Sequence, residues 1–270
     1  MPIIYSISDI HGCYEPMIDA LRLVDLDSNK NNKLILLGDY VDGGTESCKV
    51  LYYVKELEEK YPKQVIILLG NHDKMFIDWY TSITDELQWL SHDVNLLTIK
   101  SFFTSEQFEI IEDQPELRKG NYSEISKYLI QEIRSHHSEL LNWLSEKSKF
   151  SPFYETENQI YVHAGICEED EVFWKHATRP DEFFWKYPAE TGTFFKDIIA
   201  GHISSVEVAE DKSYHGRVFW DGQSHYFIDG DTVKSKVVPL LKYNSSTGKY
   251  SSYMKKSDGG WKEYQIIKGK

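Results

Sequence analysis

The sequence is poor in cysteine and contains no long apolar run. Its three cysteines, Cys13, Cys48 and Cys167, show no CxxC spacing, and an odd number excludes a complete set of intramolecular disulfides. A reducing, cytoplasmic compartment is the simplest interpretation. No apolar run approaches the ~18 residues of a membrane-spanning helix, and the first residues lack the basic and long apolar regions of a secretion signal. We therefore expect no membrane partner.

Basic residues are also scarce relative to acidic ones. Lys and Arg number 30 against 43 Asp and Glu, which gives a formal net charge of −13. A broad nucleic-acid surface needs clustered positive charge, so no nucleic-acid partner is expected. Bound metal ions do not enter a count of side-chain charges, so the composition still allows a local cationic site. With 270 residues, 41% of them apolar, the chain is long enough for a substantial core.

What the sequence does contain is a series of short apolar runs, each followed by polar residues and glycine. Runs of this length bounded by glycine predict buried strands. They cover Ile3–Ile7, Leu34–Leu37, Val65–Leu69, Ile160–Val162 and Ile198–Ala200. Between the first three runs, the apolar spacing predicts helices at Glu15–Leu26 and Thr45–Tyr61. The strand–helix order by itself predicts an open, parallel or mixed sheet with ligands beyond the carboxyl ends of its strands.

The segment 74–158 has a different composition, rich in acids, aromatic residues and serine. Helical spacing recurs at Tyr128–Arg134 and Leu140–Lys149. We therefore predict a mostly helical insertion that caps or flanks one domain spanning residues 1–270.

The last third of the chain contains a turn signal and a polar tail. Asp221-Gly222 separates Val218–Trp220 from Tyr226–Ile228 and predicts a hairpin. The tail at Lys242–Lys270 is compatible with late edge strands or with a frayed end.

The polar residues that follow the five runs are carboxylates, imidazoles and one amide. They are Asp9, His11, Asp39, Asp42, Asn71, His72, His163 and His202. Each alone could serve a turn or a hydrogen bond in the core, but polar groups at the ends of buried strands must be solvated, paired or metal-bound. This donor set without thiolate suits Mn²⁺, Fe or Zn²⁺. It favours two ions about 3.5–4 Å apart, bridged by one carboxylate, that activate water and polarise a phosphoryl oxygen.

These residues lie in motifs that have a familiar order. The motifs are DIHG at 9–12, GDYVDGG at 38–44, GNHD at 70–73, VHAG at 162–165 and AGH at 200–202. From residue 5 to about residue 230, the chain resembles the phosphoprotein phosphatase group of calcineurin-like metallophosphoesterases. The resemblance implies an α/β fold (four-layer α+β) in which a β-sandwich is flanked by helices, and this replaces the open sheet that the pattern alone predicts.

The resemblance also implies a role for each polar residue. The metal ligands are Asp9 and His11 for one ion, Asp39 as the bridging carboxylate, and Asn71, His163 and His202 for the second ion. His72 corresponds to the general acid that protonates the leaving oxygen, and Asp42 to the carboxylate that orients it. The implied cofactors are two divalent ions, Mn²⁺ first, with Fe or Zn²⁺ as alternatives. The implied reaction is direct attack of a metal-bound hydroxide on phosphorus, without a phospho-enzyme.

The chain departs from the family at the phosphate clamp. Gly43 stands where the family has the arginine of VDRG, and Phe184-Trp185-Lys186-Tyr187 is the nearest match to a W-x-R element. Arginine binds phosphate with a planar two-pronged donor. The candidates for a replacement substrate contact are Arg179, with Lys175 nearby, Lys186 and the space at Gly43.

The sequence is compatible with three functions. The first is hydrolysis of a phosphate monoester by a Ser/Thr or broad-specificity protein phosphatase, with a phosphorylated protein as partner. The second is hydrolysis of a small phosphoester or nucleotide, by a dinucleoside polyphosphate hydrolase or a phosphodiesterase, because the lost arginine opens space beside the phosphate. The third is a catalytically weak metal- or phospholigand-binding protein, against which the retained His72 and Asp42 stand.

Overall fold

The computed structural model describes residues 2–81, 88–113 and 122–267. The strands are β1 (Ile3–Ile7), β2 (Lys33–Leu36), β3 (Val65–Ile67), β4 (Phe153–Glu155), β5 (Gln159–Val162), β6 (Asp197–Ser204), β7 (Phe219–Trp220), β8 (His225–Asp229), β9 (Leu241–Asn244), β10 (Lys249–Lys255) and β11 (Trp261–Ile266). The α-helices are Tyr14–Leu21, Ser47–Lys60, Asn71–Thr81, Gln88–His92, Leu97–Lys100, Ser105–Glu112, Tyr122–Lys147, Trp174–Ala177, Glu182–Trp185, Ser205–Ala209 and Thr232–Ser235. Among these described residues, none of the helices is both long and apolar enough to cross a membrane.

The strands form two sheets whose parallel strands carry the motifs at their carboxyl ends. The first sheet has the order β11-β10-β9-β1-β2-β3 and the second the order β4-β5-β6-β8-β7. β1, β2 and β3 are parallel to one another, as are β5, β6 and β8. The two sets of carboxyl ends meet, because the His202 N–H in the second sheet donates to the Asp9 carboxylate after β1 at 3.1 Å. This junction defines the candidate site.

Alternate residues along β1 and β2 explain why the sheets are covered on both faces. Ile4 and Ile35 pack with Tyr161 of the second sheet, in the core between the sheets. Tyr5 and Leu36 point to the other face and pack against the helices. Successive side chains of a strand point to opposite faces, so a continuous apolar run buries both. The outer face of the second sheet has its own apolar cluster with the short helices, which completes a helix–sheet–sheet–helix arrangement. The implied sandwich is confirmed, and the open sheet is wrong.

Two predicted boundaries are wrong because apolar residues continue after the element ends. The helix predicted at Glu15–Leu26 is Tyr14–Leu21, although Leu26 is buried. The strand predicted at Val65–Leu69 is only three residues long, although Leu69 is buried. An apolar residue at the end of a run indicates burial and not by itself secondary structure, which accounts for both errors.

The segment predicted as a helical insertion, 74–158, is bounded by regular structure on both sides. Its first residues belong to the helix Asn71–Thr81, and its last residues form β4, which pairs with β5. The two predicted helical stretches fall mainly in one helix, Tyr122–Lys147, whose dihedral angles are non-helical at His137. Positions 82–87 and 114–121 of the segment lie outside the described residues.

The insertion packs onto the first sheet. Ile125, Leu129 and Leu140 lie in the same apolar cluster as Leu36 of β2 and Phe76. Burying a Leu or Ile side chain contributes about 1.5–3 kcal/mol, so several such residues bind these helices firmly to the sheet. Its action as a cap stays a prediction.

The C-terminal elements are strands and not a frayed end. β7 and β8 pair antiparallel around Asp221-Gly222, which confirms the predicted hairpin. β9, β10 and β11 form an antiparallel extension of the first sheet, joined to it through β1. The alternation of small polar and aromatic residues in this tail therefore reflects edge strands.

Candidate active site

The carboxylate of Asp39 lies at the centre of the site, between two histidines. Asp39 Oδ2 is 3.6 Å from His11 Nε2 and 3.5 Å from His163 Nε2. Two groups of potential metal ligands share this residue: His11, Asp39 and His72, and Asp9, Asp39 and His163, each with its ligand atoms within 4.8 Å of one another. Asp39 is thus placed to contact an ion in either group.

A second set of donors converges on the side chain of Asn71. Asn71 Oδ1 is 2.8 Å from His163 Nε2 and 3.0 Å from His202 Nδ1. His202 lies inside β6, not after a strand as the sequence indicated, and the pairing of β6 with β8 shifts register between Ala200 and Ser204. This irregularity lets a strand residue face the loop that carries Asn71.

Backbone carbonyls orient two of the imidazoles. His163 Nδ1 is 2.9 Å from the Leu37 carbonyl and His11 Nδ1 is 3.0 Å from the Val41 carbonyl. A carbonyl only accepts hydrogen bonds, so each ring carries its proton on Nδ1, and the lone pair of Nε2, on the side of Asp39, is available to a metal ion. Protein ligands of divalent ions commonly have this arrangement.

Burial keeps the histidines of the second set neutral. It lowers the pKa of His163, and it lowers the pKa of His202 to about 4, with the nearby His163 adding to the effect. A neutral imidazole is the form that binds a metal ion. Both side chains can therefore serve as ligands at neutral pH.

The pKa values of the two buried carboxylates, Asp9 and Asp39, shift in different directions. Burial raises the pKa of Asp9 well above its usual value, and the neighbouring Asp229 and Asp39 raise it further. Burial would also raise the pKa of Asp39, but the surrounding histidines, His163 first, lower it below its usual value. Several carboxylates buried together are costly unless a cation compensates them, which fits a metal site.

Five site residues have a left-handed backbone. They are Asp9 (φ 53°), His11 (φ 47°), Asp39 (φ 58°), Asp42 (φ 68°) and His202 (φ 64°). Such angles are uncommon outside glycine and cluster where function requires a special direction of the side chain. Four of these residues follow a strand of the first sheet, and His202 lies at the irregular part of β6.

Two glycines allow the carboxylates to approach the backbone closely. A Cβ atom at Gly70 would lie 2.0 Å from Asp39 Oδ1, and one at Gly201 would lie 2.1 Å from Asp9 Oδ2. Larger residues at these positions would displace the carboxylates. The glycines of GNHD and AGH are therefore required sterically.

His72 and Asp42 form a pair at the edge of this cluster. His72 Nδ1 is 2.7 Å from Asp42 Oδ2, and the imidazole is partly exposed while the carboxylate is buried. Burial would lower the pKa of His72, but the hydrogen bond to Asp42 and the charges of Asp39 and Asp42 raise it to about 9. A protonated imidazole held in this way is a proton donor near neutral pH. The same position makes His72 a geometrically allowed ligand, as noted above, but its protonation favours the role of acid.

Two further buried carboxylates, Asp73 and Asp229, were given no role in the sequence analysis. Asp73 accepts hydrogen bonds from the backbone N–H groups of Asp39, Tyr40 and Gly70 at 2.7, 2.8 and 2.9 Å, and so joins two motif loops. Burial, with the charge of Asp39 adding to it, raises the pKa of Asp73 to about 7. Burial also raises the pKa of Asp229 to about 6, next to the site.

A sequence signal existed for both of these residues, since Asp73 is the last residue of GNHD. Ile228-Asp229-Gly230 repeats the pattern of an apolar strand followed by Asp and Gly. Two residues of the insertion, Trp89 and Thr98, also contact the site through hydrogen bonds to Asp42. Nothing in the sequence marks these two residues.

The candidate substrate contacts are paired with carboxylates. Arg179 lies 3.5 Å from Asp181 and is mostly exposed, and Lys175 pairs with Glu155. Lys186, the nearest match to the family's second arginine, is also paired with a carboxylate.

Lys186 Nζ is 2.8 Å from Glu190 and donates to the Ile166 carbonyl. With Arg179 it lines a cavity of about 350 Å³ that also contains Trp185, whose ring centroid is 6.4 Å from that of His202. Both cations are held in ion pairs, so binding a phosphate in this cavity would require those pairs to open.

Gly43 does not leave free space. It has φ 84°, and a Cβ atom there would lie 2.8 Å from Val233 Cγ2. The loop after β8 thus occupies the position that the expected arginine would need. The opening beside the phosphate that the missing arginine suggested is filled at this point.

Comparisons with known proteins agree on the family. A model of the calcineurin-like phosphoesterase family matches residues 3–229. A stretch of 70 residues is 44% identical to the symmetrical bis(5'-nucleosyl)-tetraphosphatase of Nitrosospira multiformis, covering 26% of this chain and 24% of that protein. The chain therefore aligns with about a quarter of the length of this relative.

Solved structures share the fold. A cold-active protein tyrosine phosphatase has a TM-score of 0.57 and 16% identity, covering 97% of this chain and 78% of that chain. A putative diadenosine tetraphosphatase has a TM-score of 0.50 and 15% identity, covering 99% and 95% of the two chains. At this identity the likeness concerns the fold alone.

Proposed function

Because the chain belongs to the calcineurin-like phosphoesterase family, whose members are hydrolases that act on phosphoester bonds, we propose that it hydrolyses phosphate monoesters with two divalent metal ions. The observation that carries this proposal is the 2.7 Å contact between His72 and Asp42 beside the donors around Asp39. A general acid matters most when the leaving group is a poor one, such as an alkoxide. The pair therefore favours an alkyl phosphate, and phosphoserine or phosphothreonine in a protein is the first candidate.

The donor set fits two divalent ions. Asp9 and His11 would hold one ion, Asn71, His163 and His202 the other, and Asp39 both. When bound, the ions would polarise phosphoryl oxygens and lower the pKa of water. Oxygen and imidazole donors without thiolate suit Mn²⁺, with Fe or Zn²⁺ as alternatives.

The chain's own residues would handle the proton. His72 holds a proton on the ring nitrogen that faces away from Asp42 and delivers it to the leaving oxygen. Asp42 accepts the hydrogen bond from Nδ1–H throughout, so it fixes the ring and stabilises its positive charge. Since the imidazole is partly exposed, it can recover a proton from solvent after each turnover.

A dinucleoside polyphosphate is the second candidate substrate, and the 44% identity to a tetraphosphatase favours it. In that reaction the leaving group is a nucleoside phosphate, which departs more readily than an alkoxide and needs less help from His72. Against it, Arg179 and Lys186 are paired with carboxylates, so neither is free to bind a polyphosphate chain. Hydrolysis of a phosphodiester would likewise depend on the metal ions and would not need the arginines that bind phosphate in the family.

Turnover by metal-stripped protein with Mn²⁺ added back tests the proposal. The substrates are a phosphoserine peptide, p-nitrophenyl phosphate, its bis-ester and diadenosine tetraphosphate. We expect manganese-dependent turnover of the two monoesters, lost in Asp39→Asn and reduced in His72→Asn. Preference for the tetraphosphate or the bis-ester would replace the first candidate by the second. Binding of manganese without turnover of any substrate would favour a binding protein and contradict the proposal.

A further inference from the structure

The carboxylate of Asp42 has partners besides His72. Trp89 Nε1 donates to Asp42 Oδ2 at 2.9 Å, and Thr98 Oγ1 donates to Asp42 Oδ1 at 2.8 Å. Each carboxylate oxygen thus accepts a hydrogen bond from the insertion, while Oδ2 also faces His72 Nδ1 at 2.7 Å. Three donors on one buried carboxylate leave it little freedom to rotate.

Thr98 holds the backbone of Asp42 as well as its side chain. Its Oγ1 accepts a hydrogen bond from the Asp42 N–H at 3.0 Å. Thr98 is itself anchored, because its N–H and that of Ile99 donate to the carboxylate of Asp93 at 2.9 and 3.0 Å. Thr98 is fully buried and Asp93 almost so, which makes this a rigid support and not a surface contact.

Trp89 is fixed by aromatic packing. Its ring lies 4.9 Å from the rings of both Phe76 and Trp79, and the residue is buried. Phe76 and Trp79 belong to the helix that begins with Asn71 and His72. The indole is therefore held by the same helix that carries the candidate acid, so the donor, the carboxylate and the imidazole form one connected unit.

We propose that Trp89 and Thr98 are positioning residues for the general acid, and that the helical insertion completes the site by fixing Asp42. The inference rests on the proposed function, in which His72 protonates the leaving oxygen. Hydrogen bonds to a charged acceptor are stronger than neutral ones and fix its orientation. A displacement of about 1 Å of a catalytic group can cost about 100-fold in rate, so the orientation of Asp42 matters directly for His72.

The test compares substrates that differ in their need for an acid. p-Nitrophenolate leaves readily as an anion, whereas phenolate leaves less readily and gains more from protonation. Trp89→Phe keeps an aromatic ring but removes the N–H, and Thr98→Val keeps the shape but removes the hydroxyl. With Mn²⁺ added, we expect each variant to lower kcat on phenyl phosphate by about ten-fold, with a much smaller fall on p-nitrophenyl phosphate. Calorimetric binding of Mn²⁺ should keep the wild-type stoichiometry.

Two further variants serve as matched controls. Trp143→Phe removes the indole N–H of another tryptophan of the insertion, which donates to Glu58 and not to Asp42, so both substrates should respond alike. Thr98→Ser keeps the hydroxyl and should restore most of the rate on phenyl phosphate that Thr98→Val loses. The two donors belong to separate segments, so either variant can carry the test if the other does not fold.

The outcomes separate the inference from the proposed function. If Trp89→Phe and Thr98→Val lower the rates on both substrates equally, or match Trp143→Phe, the contacts are structural and the inference is wrong. Wild-type rates on both substrates would overturn it as well. If the wild-type protein with bound manganese hydrolyses neither monoester, the proposed function itself fails, and the inference fails with it.

Discussion

Gly201 lies directly against the carboxylate of Asp9. A Cβ atom at position 201 would be 2.1 Å from Asp9 Oδ2, and the N–H of the next residue, His202, donates to the same carboxylate at 3.1 Å. The glycine and the carboxylate come from different sheets. Their contact therefore sets how closely the carboxyl ends of the two sheets approach each other.

Gly201→Ala should displace Asp9 and weaken metal binding. We expect Mn²⁺ affinity to fall by at least about ten-fold and the free energy of unfolding to fall by about 1–3 kcal/mol. Isothermal calorimetry and thermal unfolding measure the two effects. Gly222→Ala is the control, because Gly222 has a positive φ, which Gly201 does not, and nothing lies near its Cβ position. It should lose stability and keep manganese affinity; equal affinity for Gly201→Ala would contradict the steric argument.

Removal of Asp39 should affect both metal ions, whereas removal of a histidine should affect one. Asp39 Oδ2 lies about midway between His11 and His163, so we expect Asp39→Asn to weaken both bound Mn²⁺ ions by at least about ten-fold. His202→Asn should weaken one ion only. Titration followed by calorimetry or by the manganese spin signal distinguishes the two. His136→Asn, at an exposed position of the helix Tyr122–Lys147, should bind as the wild type does; one intact tight site in Asp39→Asn would refute a shared ligand.

Protonation of His225 should stabilise the fold towards acidic pH. His225 Nε2 is 3.0 Å from Glu168 and Nδ1 is 3.1 Å from Asp221. Burial would lower the pKa of His225, but these two carboxylates raise it above its usual value. Since the folded state holds the proton more tightly, the contribution is fully present below the unfolded pKa of about 6.5 and is lost as the pH rises through the raised pKa.

The measurement is the difference in unfolding free energy between wild type and His225→Gln. We expect about 1–3 kcal/mol at about pH 5.5 and less at about pH 9. The metal ligands titrate in both proteins, so their effect cancels. His215→Gln is the control, since His215 is exposed and 3.7 Å from Asp231. A difference that grows with pH would show that His225 is neutral in the fold.

Placing the family's arginine at position 43 should destabilise the fold unless Val233 is replaced by a smaller residue. The Cβ atom would lie 2.8 Å from Val233 Cγ2, and φ is 84°. We expect Gly43→Arg to lose about 2 kcal/mol of stability from the clash and the left-handed backbone. Gly43→Arg with Val233→Ala should recover part of that loss and lower the KM for p-nitrophenyl phosphate, with Val233→Ala alone as the control. A stable single variant would show that the loop after β8 yields easily.

The candidate metal ligands could be predicted as one cluster because their signal is local. Each lies close to the end of a short apolar run, several beside glycine, as Asp39 is after Gly38, and a parallel sheet places such residues at one edge. The meeting of two sheets came from the family resemblance and not from the strand order. The tail at Lys242–Lys270 was ambiguous because its strands are covered on one face of the sheet only. Its side chains therefore alternate in polarity.

The contacts that support the proposed general acid could not be predicted in this way. Trp89 and Thr98 lie 47 and 56 residues from Asp42 in the chain, and a buried aromatic residue and a threonine have ordinary uses in any core. Their role depends on where the insertion docks, which no local spacing encodes. Asp229 is an intermediate case, since its strand–Asp–Gly pattern was present but the family motifs do not include it.

The meeting of the two sheets at the site has a consequence for assembly of the fold. The first four candidate ligands come from the loops around the first sheet, and the last two, His163 and His202, come from the second. One ion would need Asp9, His11 and Asp39, which all come from the first sheet, whereas the other would also need His163 and His202 of the second sheet. This second ion can therefore bind fully only after the two sheets have docked. A divalent ion bound there would link the carboxyl ends of the two sheets. Its binding energy would add to the cooperativity of folding.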